Sequence, residues 1–235
     1  MAPPTNQKLN AEREEHCLSI TPERKYYRCG NLWIKRSLRP HEWQKHNGFM
    51  HIPKFNNERL LNEEACLKFL ADKTDIPLPK LVACFEDDGA VYLITEYVDG
   101  VGMDELYDEQ LKIVGEELEM HMKTLKSLTS NSWGGPGGAV LPPYRVMRKS
   151  NGWPWEMNPR EKDDLVFCHN DLSMNNVIVD PLTLKIKAIL DWEYAGFFPP
   201  EFESRFYLRN GPSIALSGEV NDEDSLMKIL DDEML

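Results

Sequence analysis

Long apolar runs are missing: nothing in the 235 residues approaches the ~20 consecutive apolar residues that a membrane helix needs. The opening stretch, MAPPTNQKLNAEREEHC, has no apolar signal region, so a cytoplasmic chain with a partly disordered start is expected, its AEREE run a candidate short helix. Basic charge is scarce. Lys and Arg number 27 against 39 Asp and Glu, a net charge of −12, which argues against nucleic acid or anionic membranes as partners and is compatible with a cationic ligand. Cysteines are five, odd in number and widely spaced at 17, 29, 66, 84 and 168. No disulfide framework follows; reduced thiols are expected, with Cys66, Cys84 and Cys168 as buried apolar fillers. His41, His46 and His51 recur at intervals of five, which does not place them on one helical face, and no Cys or carboxylate pattern completes a zinc site around them. They read as loop or surface residues. What remains, 41% apolar and 28% charged, is the composition of a soluble globular protein, long enough for one large domain or two small lobes sharing a cleft.

What is present centres on Cys168–Gly196, CHNDLSMNNVIVDPLTLKIKAILDWEYAG. It holds His169, Asp171 and Asn176 in the spacing H-x-D-x-x-x-x-N, with Asp191 fifteen residues after Asn176. LVFCH reads as a strand entering a polar loop, NVIVD as a short apolar strand, Asp180-Pro181 as a turn and IKAILDW as a second strand. Two carboxylates and a carboxamide are thereby gathered at neighbouring strand ends. Hard oxygen ligands plus one carboxylate free to orient a hydroxyl are what Mg²⁺ and a transferring phosphoryl group need.

The order matches the protein-kinase pattern H-R-D-L-x-x-x-N followed by D-F-G, with departures. Asn170 stands in place of Arg, Ser173 in place of Lys, and Asp191 is followed by Trp192-Glu193-Tyr194-Ala195-Gly196. With those departures the segment resembles the aminoglycoside phosphotransferase and choline kinase family, especially its short members common in filamentous fungi. The resemblance runs over roughly residues 28–215 and is strongest at 164–203. It implies ATP and Mg²⁺ as cofactors, Asp171 as the catalytic base, Asn176 and Asp191 as metal ligands, and Ser173 as a cofactor-binding position.

Upstream, KYYRCGNLWIKRSL reads as a hairpin turning at Cys29-Gly30-Asn31. Its second strand, Leu32-Trp33-Ile34-Lys35, fits the V-A-I-K pattern in which a strand Lys reaches the nucleotide phosphates; an ordinary exposed strand Lys is the alternative. Residues 57–71 form an amphipathic helix carrying Glu63 and Glu64, and the resemblance selects Glu63 as the partner of Lys35. A rigid Thr74–Pro79 connector leads to a hairpin turning at Asp88-Gly89. Thr95–Val98 then resembles the hinge, whose backbone at Glu96 and Val98 would meet adenine. A long helix is expected over 109–130, with an apolar stripe at 111, 114, 118, 122, 125 and 128.

Residues 131–163 are different in character, with a Gly-Gly-Pro-Gly-Gly run and then Tyr144, Trp153 and Trp155. An irregular insertion of this length is usually functional. These aromatics, with Glu193, either line an acceptor pocket or cover the core. Asn221 is placed to cap a last acidic helix. No G-x-G-x-x-G precedes Lys35, so a phosphate-covering loop is shortened or absent.

The expected fold is therefore α+β and two-lobed, protein-kinase-like with a reduced N-terminal lobe: a polar extension at 1–24, a small lobe at 25–98 with an antiparallel sheet and one helix, and a mainly helical lobe at 99–235. The expected activity is transfer of the ATP γ-phosphoryl group to a hydroxyl or amine of a small molecule. A kinase-fold protein that binds ligand without transfer is the alternative, as is a different reaction on the same scaffold.

Overall fold

The computed structural model describes residues 14–46, 48–150 and 154–234. A five-stranded antiparallel sheet in the order β1-β2-β3-β5-β4 forms the first layer. Its strands are β1 (Cys17–Ile20), β2 (Arg24–Cys29), β3 (Leu32–Ser37), β4 (Leu81–Asp87) and β5 (Ala90–Glu96). Both hairpin turns fall where expected, and both place a non-helical residue pair at positive φ or beside it: Gly30 at +60° and Asp88-Gly89 at +47° and +69°. The boundary of the extension moves, however. Cys17–Ile20 pairs with Lys25–Tyr27, so the sheet begins before residue 24; a four-residue strand in a polar context carries too little alternation to stand out in the sequence. The AEREE run lies mostly outside the described residues.

Helix α1 (Asn56–Lys73) packs on this sheet and reaches across to the segment after Asp191. β6 (Val101–Gly102) leaves the sheet and pairs with Ile178 and Val179 of the second lobe, and β7 (Thr129–Ser130) pairs with Leu165 and Val166. Helix α2 (Asp108–Ser127) buries Val114, Leu118, Met122 and Leu125, the stripe that its periodicity predicts. Those side chains join Leu67 and Leu70 of α1 with Phe167, Val177, Ile189 and Trp192 in the main core. Trp192 is fully buried, and its indole N–H donates to the Ile189 carbonyl at 2.8 Å.

The 168–196 segment forms the expected hairpin. Strand β8 (Leu165–Cys168) runs into the polar loop, and β9 (Val177–Val179) pairs with β10 (Ile186–Ile189). β11 (Gly196–Phe198) returns alongside β8. The glycine run at 134–138 has a packing reason. Gly134 sits at φ +88° and exchanges backbone hydrogen bonds with Phe197, and a Cβ on Gly135 would lie 1.8 Å from the Asn62 side-chain oxygen. Only a bare backbone can approach so closely. A short helix α3 (Tyr144–Met147) and a final helix α4 (Glu223–Glu233) pack together; the Asn221 side chain accepts the Glu223 N–H at 2.9 Å. Cys66 and Cys168 are buried as expected, whereas Cys84 on the outer strand β4 is half-exposed, and Cys17 is buried instead. Among the described residues no helix is long and apolar enough to cross a membrane.

Candidate active site

The cleft between the lobes opens into a cavity of about 310 Å³ whose walls include Lys35, Glu63, Glu96, Val98, Asn176 and Asp191. Lys35 projects from β3, and its ammonium donates to both carboxylate oxygens of Glu63 at 2.8 Å and to Asp191 Oδ1 at 2.7 Å. Glu64, one residue on, turns outward to Lys68. Burial alone would lower the Lys35 pKa, but the charges of Asp191 and Glu63 outweigh it, so the ammonium is held protonated. Burial pushes Glu63 up against the pull of Lys35, and Asp191 adds to the rise. A buried cation therefore sits between two carboxylates at the floor of the cleft.

At the hinge, the Glu96 N–H goes to the Lys80 carbonyl at 2.9 Å and the Tyr97 N–H to the Asn31 carbonyl at 2.8 Å. Among the described residues, the Val98 N–H has no protein acceptor. The flat side of the cavity is built by Tyr26, Trp33 and Tyr97, with ring centroids 5.9 and 6.2 Å apart in sequence around Trp33. β1 and β2 are joined by Thr21-Pro22-Glu23, a turn with no glycine.

His169 ties the polar loop together. Burial lowers its pKa to about 4, so the ring is neutral; Nε2 lies 2.9 Å from the Leu190 carbonyl, and Nδ1 faces the Asp171 N–H at 3.3 Å. Asn170 adopts φ +68°, a conformation Asn tolerates, and its amide donates to the Tyr194 carbonyl at 2.8 Å. Asn176 donates its amide N–H to the Asp171 carbonyl at 2.9 Å. Asp191 occupies φ +67°, the turn that swings its carboxylate out of β10 toward Lys35. Asp171 keeps partial exposure; burial, then the nearby Asp191 charge, push its carboxyl up to about 8. Ser173 is buried outside the cavity wall, its carbonyl accepting the Asn176 N–H at 3.1 Å, so it supports the loop and does not line the cavity.

The acceptor set divides. Glu193 is buried between two guanidiniums, Arg24 at 2.7 Å and Arg59 at 2.8 Å, and its backbone carbonyl receives the Asn62 amide at 3.1 Å. Burial raises its pKa, but Arg59, Arg24 and Lys35 outweigh that and hold it well below the ordinary carboxylate range. It is a clamp between α1, β2 and the Asp191 segment, not an open pocket wall. Trp155 packs edge-on against Phe55 at 6.3 Å in the second core and lines a separate hollow with Trp133 and Met157. Its flat apolar ring serves the core: it is buried in the cluster that holds Trp133, Leu141 and Phe198, with Phe55 packed against it. Tyr144 is exposed, with its ring 6.5 Å from that of Tyr194. Trp153 lies outside the described residues.

Several site residues have no local sequence signal. Arg24 and Arg59 are far apart in the chain. Glu203 accepts the His169 N–H and, at 3.3 Å, the Asn170 N–H, bracing the loop from below. Arg145, from the irregular insertion, donates to the Asn170 carbonyl at 3.2 Å and to Asp222 at 2.9 Å. Only Glu203 fell within the stretch of strongest resemblance.

Comparison with known proteins follows this geometry. Residues 141–221 match the model of the phosphotransferase enzyme family. The aminoglycoside 3′-phosphotransferase of Streptomyces fradiae is 25% identical over 138 residues, 49% of this chain and 52% of that protein. Ethanolamine kinase 2 of Homo sapiens is 36% identical over 59 residues, 25% of this chain and 15% of that protein. The chain is thus similar, over parts of its length, to aminoglycoside phosphotransferases and to an ethanolamine kinase. The match spans about half the length of the two Streptomyces aminoglycoside 3′-phosphotransferases that the sequence resembles. Among solved structures, an aminoglycoside-3′-phosphotransferase of type VIII superposes with a TM-score of 0.51 at 20% identity, over 97% of this chain and 98% of that one. An aminoglycoside phosphotransferase from Streptomyces rimosus, in complex with ADP and streptomycin, gives 0.53 at 18% identity, over 82% and 76%. At these identities the likeness shows the fold: α+β and kinase-like, as the motifs implied.

Proposed function

We propose that this kinase-like protein is an ATP- and Mg²⁺-dependent phosphotransferase that acts on a hydroxyl or amine of a small molecule. The observation that carries the reading is the convergence, on one cleft, of Lys35 paired with Glu63 and of Asn176 and Asp191, with Asp171 just beyond its wall on the loop that the Asn176 amide ties down. The donor set suits a hard cation. The Asn176 side-chain oxygen and Asp191, which has only one oxygen bonded to Lys35, are the residues that would hold Mg²⁺. Glu63 and Glu193 lie close by but are held by Lys35 and by the two arginines. Bound there, Mg²⁺ would supply the positive charge that neutralises the phosphates.

The protein's own groups do the rest. Lys35, kept charged and fixed by Glu63, is positioned for the phosphates, and the aromatic wall of Tyr26, Trp33 and Tyr97 offers a face for the purine. Asp171 orients the acceptor and takes its proton. The acceptor oxygen or nitrogen bonds to the γ-phosphorus as the bond to the β,γ-bridging oxygen breaks, and ADP leaves with that electron pair. Catalysis is then mainly positioning and charge stabilisation. The acidic balance of the chain favours a cationic or polyhydroxylated acceptor over an anionic one, and the Streptomyces rimosus relative, bound to streptomycin, has that chemistry.

The glycine-free Thr21–Glu23 turn favours a second reading, nucleotide binding without transfer. A coupled ADP-release screen over small hydroxylated and amine-bearing compounds separates the two. Acceptor-dependent ADP release that is lost in Asp171→Ala supports transfer. Nucleotide binding with no release on any acceptor supports the second reading.

A further inference from the structure

Asp171, the residue with which an acceptor must make contact, already has a hydroxyl on it. Ser213 Oγ donates to Asp171 Oδ1, and Ser213 itself is buried at 7% exposure. The nucleotide cavity is walled by Asn176 and Asp191 but not by Asp171 or Ser213, so this contact lies beyond the open part of the cleft. Ser213 is carried by an irregular loop between Arg209 and Glu219, forty-two residues along the chain from Asp171.

The loop is built around one side chain. The Arg209 guanidinium donates to the Pro212 carbonyl at 2.8 Å, to the Ile214 carbonyl at 2.7 Å and to Glu219 at 2.7 Å; Glu219 in turn accepts the Leu216 N–H at 2.8 Å. Gly211 and Gly218, at φ +110° and +90°, stand at its two ends. The hydrogen bonds thus hold the loop to itself, and Ser213 ties it to the polar loop of the active site. Such an element can shift as a unit about its glycine ends with few bonds broken.

We propose that Ser213 occupies the acceptor-hydroxyl position on Asp171, so that the 209–219 loop is the element an external acceptor displaces and the one that selects it. The inference rests on the phosphotransferase reading above. A hydroxyl donating to a carboxylate is the arrangement that an alcohol acceptor adopts on its general base. Two hydroxyls cannot fill that place together. An acceptor has to supply a hydroxyl or amine in place of Ser213 and surface for the loop to close against, which gives the loop a role in specificity.

Mg-ATP, with water as the acceptor, tests this without knowledge of the natural substrate. Steady-state hydrolysis, intact mass and a thermal shift with Mg-ATP are measured for the wild type, Ser213→Ala and Arg209→Ala. Ser213→Ala is expected to hydrolyse ATP several-fold faster with an unchanged KM for ATP, because water gains the position on Asp171. Arg209→Ala should move the rate in the same direction by loosening the loop from its other side. The wild-type mass should stay unchanged. Hydrolysis that is equal or slower in both variants, with ATP binding intact, overturns the proposal and makes Ser213 a structural support of Asp171. Phosphate on Ser213 in the wild type also overturns it, since the residue would then be a substrate and not a stand-in. If no protein shifts with Mg-ATP, the underlying reading has failed, a result distinct from binding without a rate change.

Discussion

Replacing Glu193 with Gln tests whether this residue is a clamp or an open ligand. Its carboxylate is buried and bridges Arg24 at 2.7 Å and Arg59 at 2.8 Å. Arg59 retains Glu23 at 2.6 Å, so the loss falls on Arg24, whose charge partner among the described residues is Glu193. Breaking a buried pair by removing one partner costs about 3–5 kcal/mol, because the other charge is left uncompensated. With one arginine rescued and the amide oxygen still able to accept one hydrogen bond, about 3 kcal/mol is expected. For a chain of this size that lowers Tm by about 6–12 °C. The sign with pH is also set. Glu193 is held below the ordinary carboxylate range, so its stabilisation is present above that range and is lost as pH falls through the depressed value. The difference between Glu193→Gln and wild type in urea unfolding should therefore be full at neutral pH and shrink on acidification. A variant within about 1 kcal/mol of wild type at pH 7 would refute the clamp and return Glu193 to the set of free ligands beside Asp191.

Further outcomes are expected at the site and in the core. Asp191→Ala should abolish Mg²⁺-dependent nucleotide binding, whereas Asp171→Ala should leave binding nearly intact and cut turnover about 10²–10⁴-fold; equal loss of binding in both, measured by calorimetry, would reverse these roles. Trp155→Ala should destabilise by about 3–5 kcal/mol in denaturant unfolding, as removal of a buried tryptophan does, and a variant with wild-type stability would restore it as a pocket residue. Burial, then Asp191, raise Asp171 to about 8, and a base must be ionised, so kcat/KM should climb with pH well above the ordinary carboxylate range. A profile flat from about pH 5 upward would contradict that.

The parts of the site that could be read from the sequence are those written by short-range chemistry. His169, Asp171 and Asn176 lie on one loop, and the hairpin that brings Asp191 back is marked by Asp180-Pro181 between two apolar strands. Lys35 and the helix carrying Glu63 and Glu64 lie in patterned elements, but the choice of Glu63 over Glu64 comes from the family resemblance and not from the pattern. What escaped depends on contacts between distant segments. Arg24 and Arg59 carry no local mark that they share a carboxylate, and Ser213 lies in a loop whose sequence resembles any turn-rich connector. Arg145 and the glycine run show why residues 131–163 could not be read: their partners are the Asn170 carbonyl, Asn62 and Gly196, none of them nearby in the chain. Tryptophan was ambiguous for a different reason, since a flat apolar ring suits a pocket and a core equally, and only the packing of Phe55 decides for Trp155.

The most direct test of the cleft is a calorimetric titration of Mg-ATP into the wild-type protein and into Asp191→Ala. Saturable heat in the wild type that vanishes without Mg²⁺, and vanishes in the variant, is the predicted result. At a nucleotide concentration a hundredfold over Kd, the same binding should stabilise the fold by about 2.7 kcal/mol. Absence of heat at millimolar Mg-ATP, or equal heat in Asp191→Ala, would contradict the assignment of this cleft to nucleotide and metal.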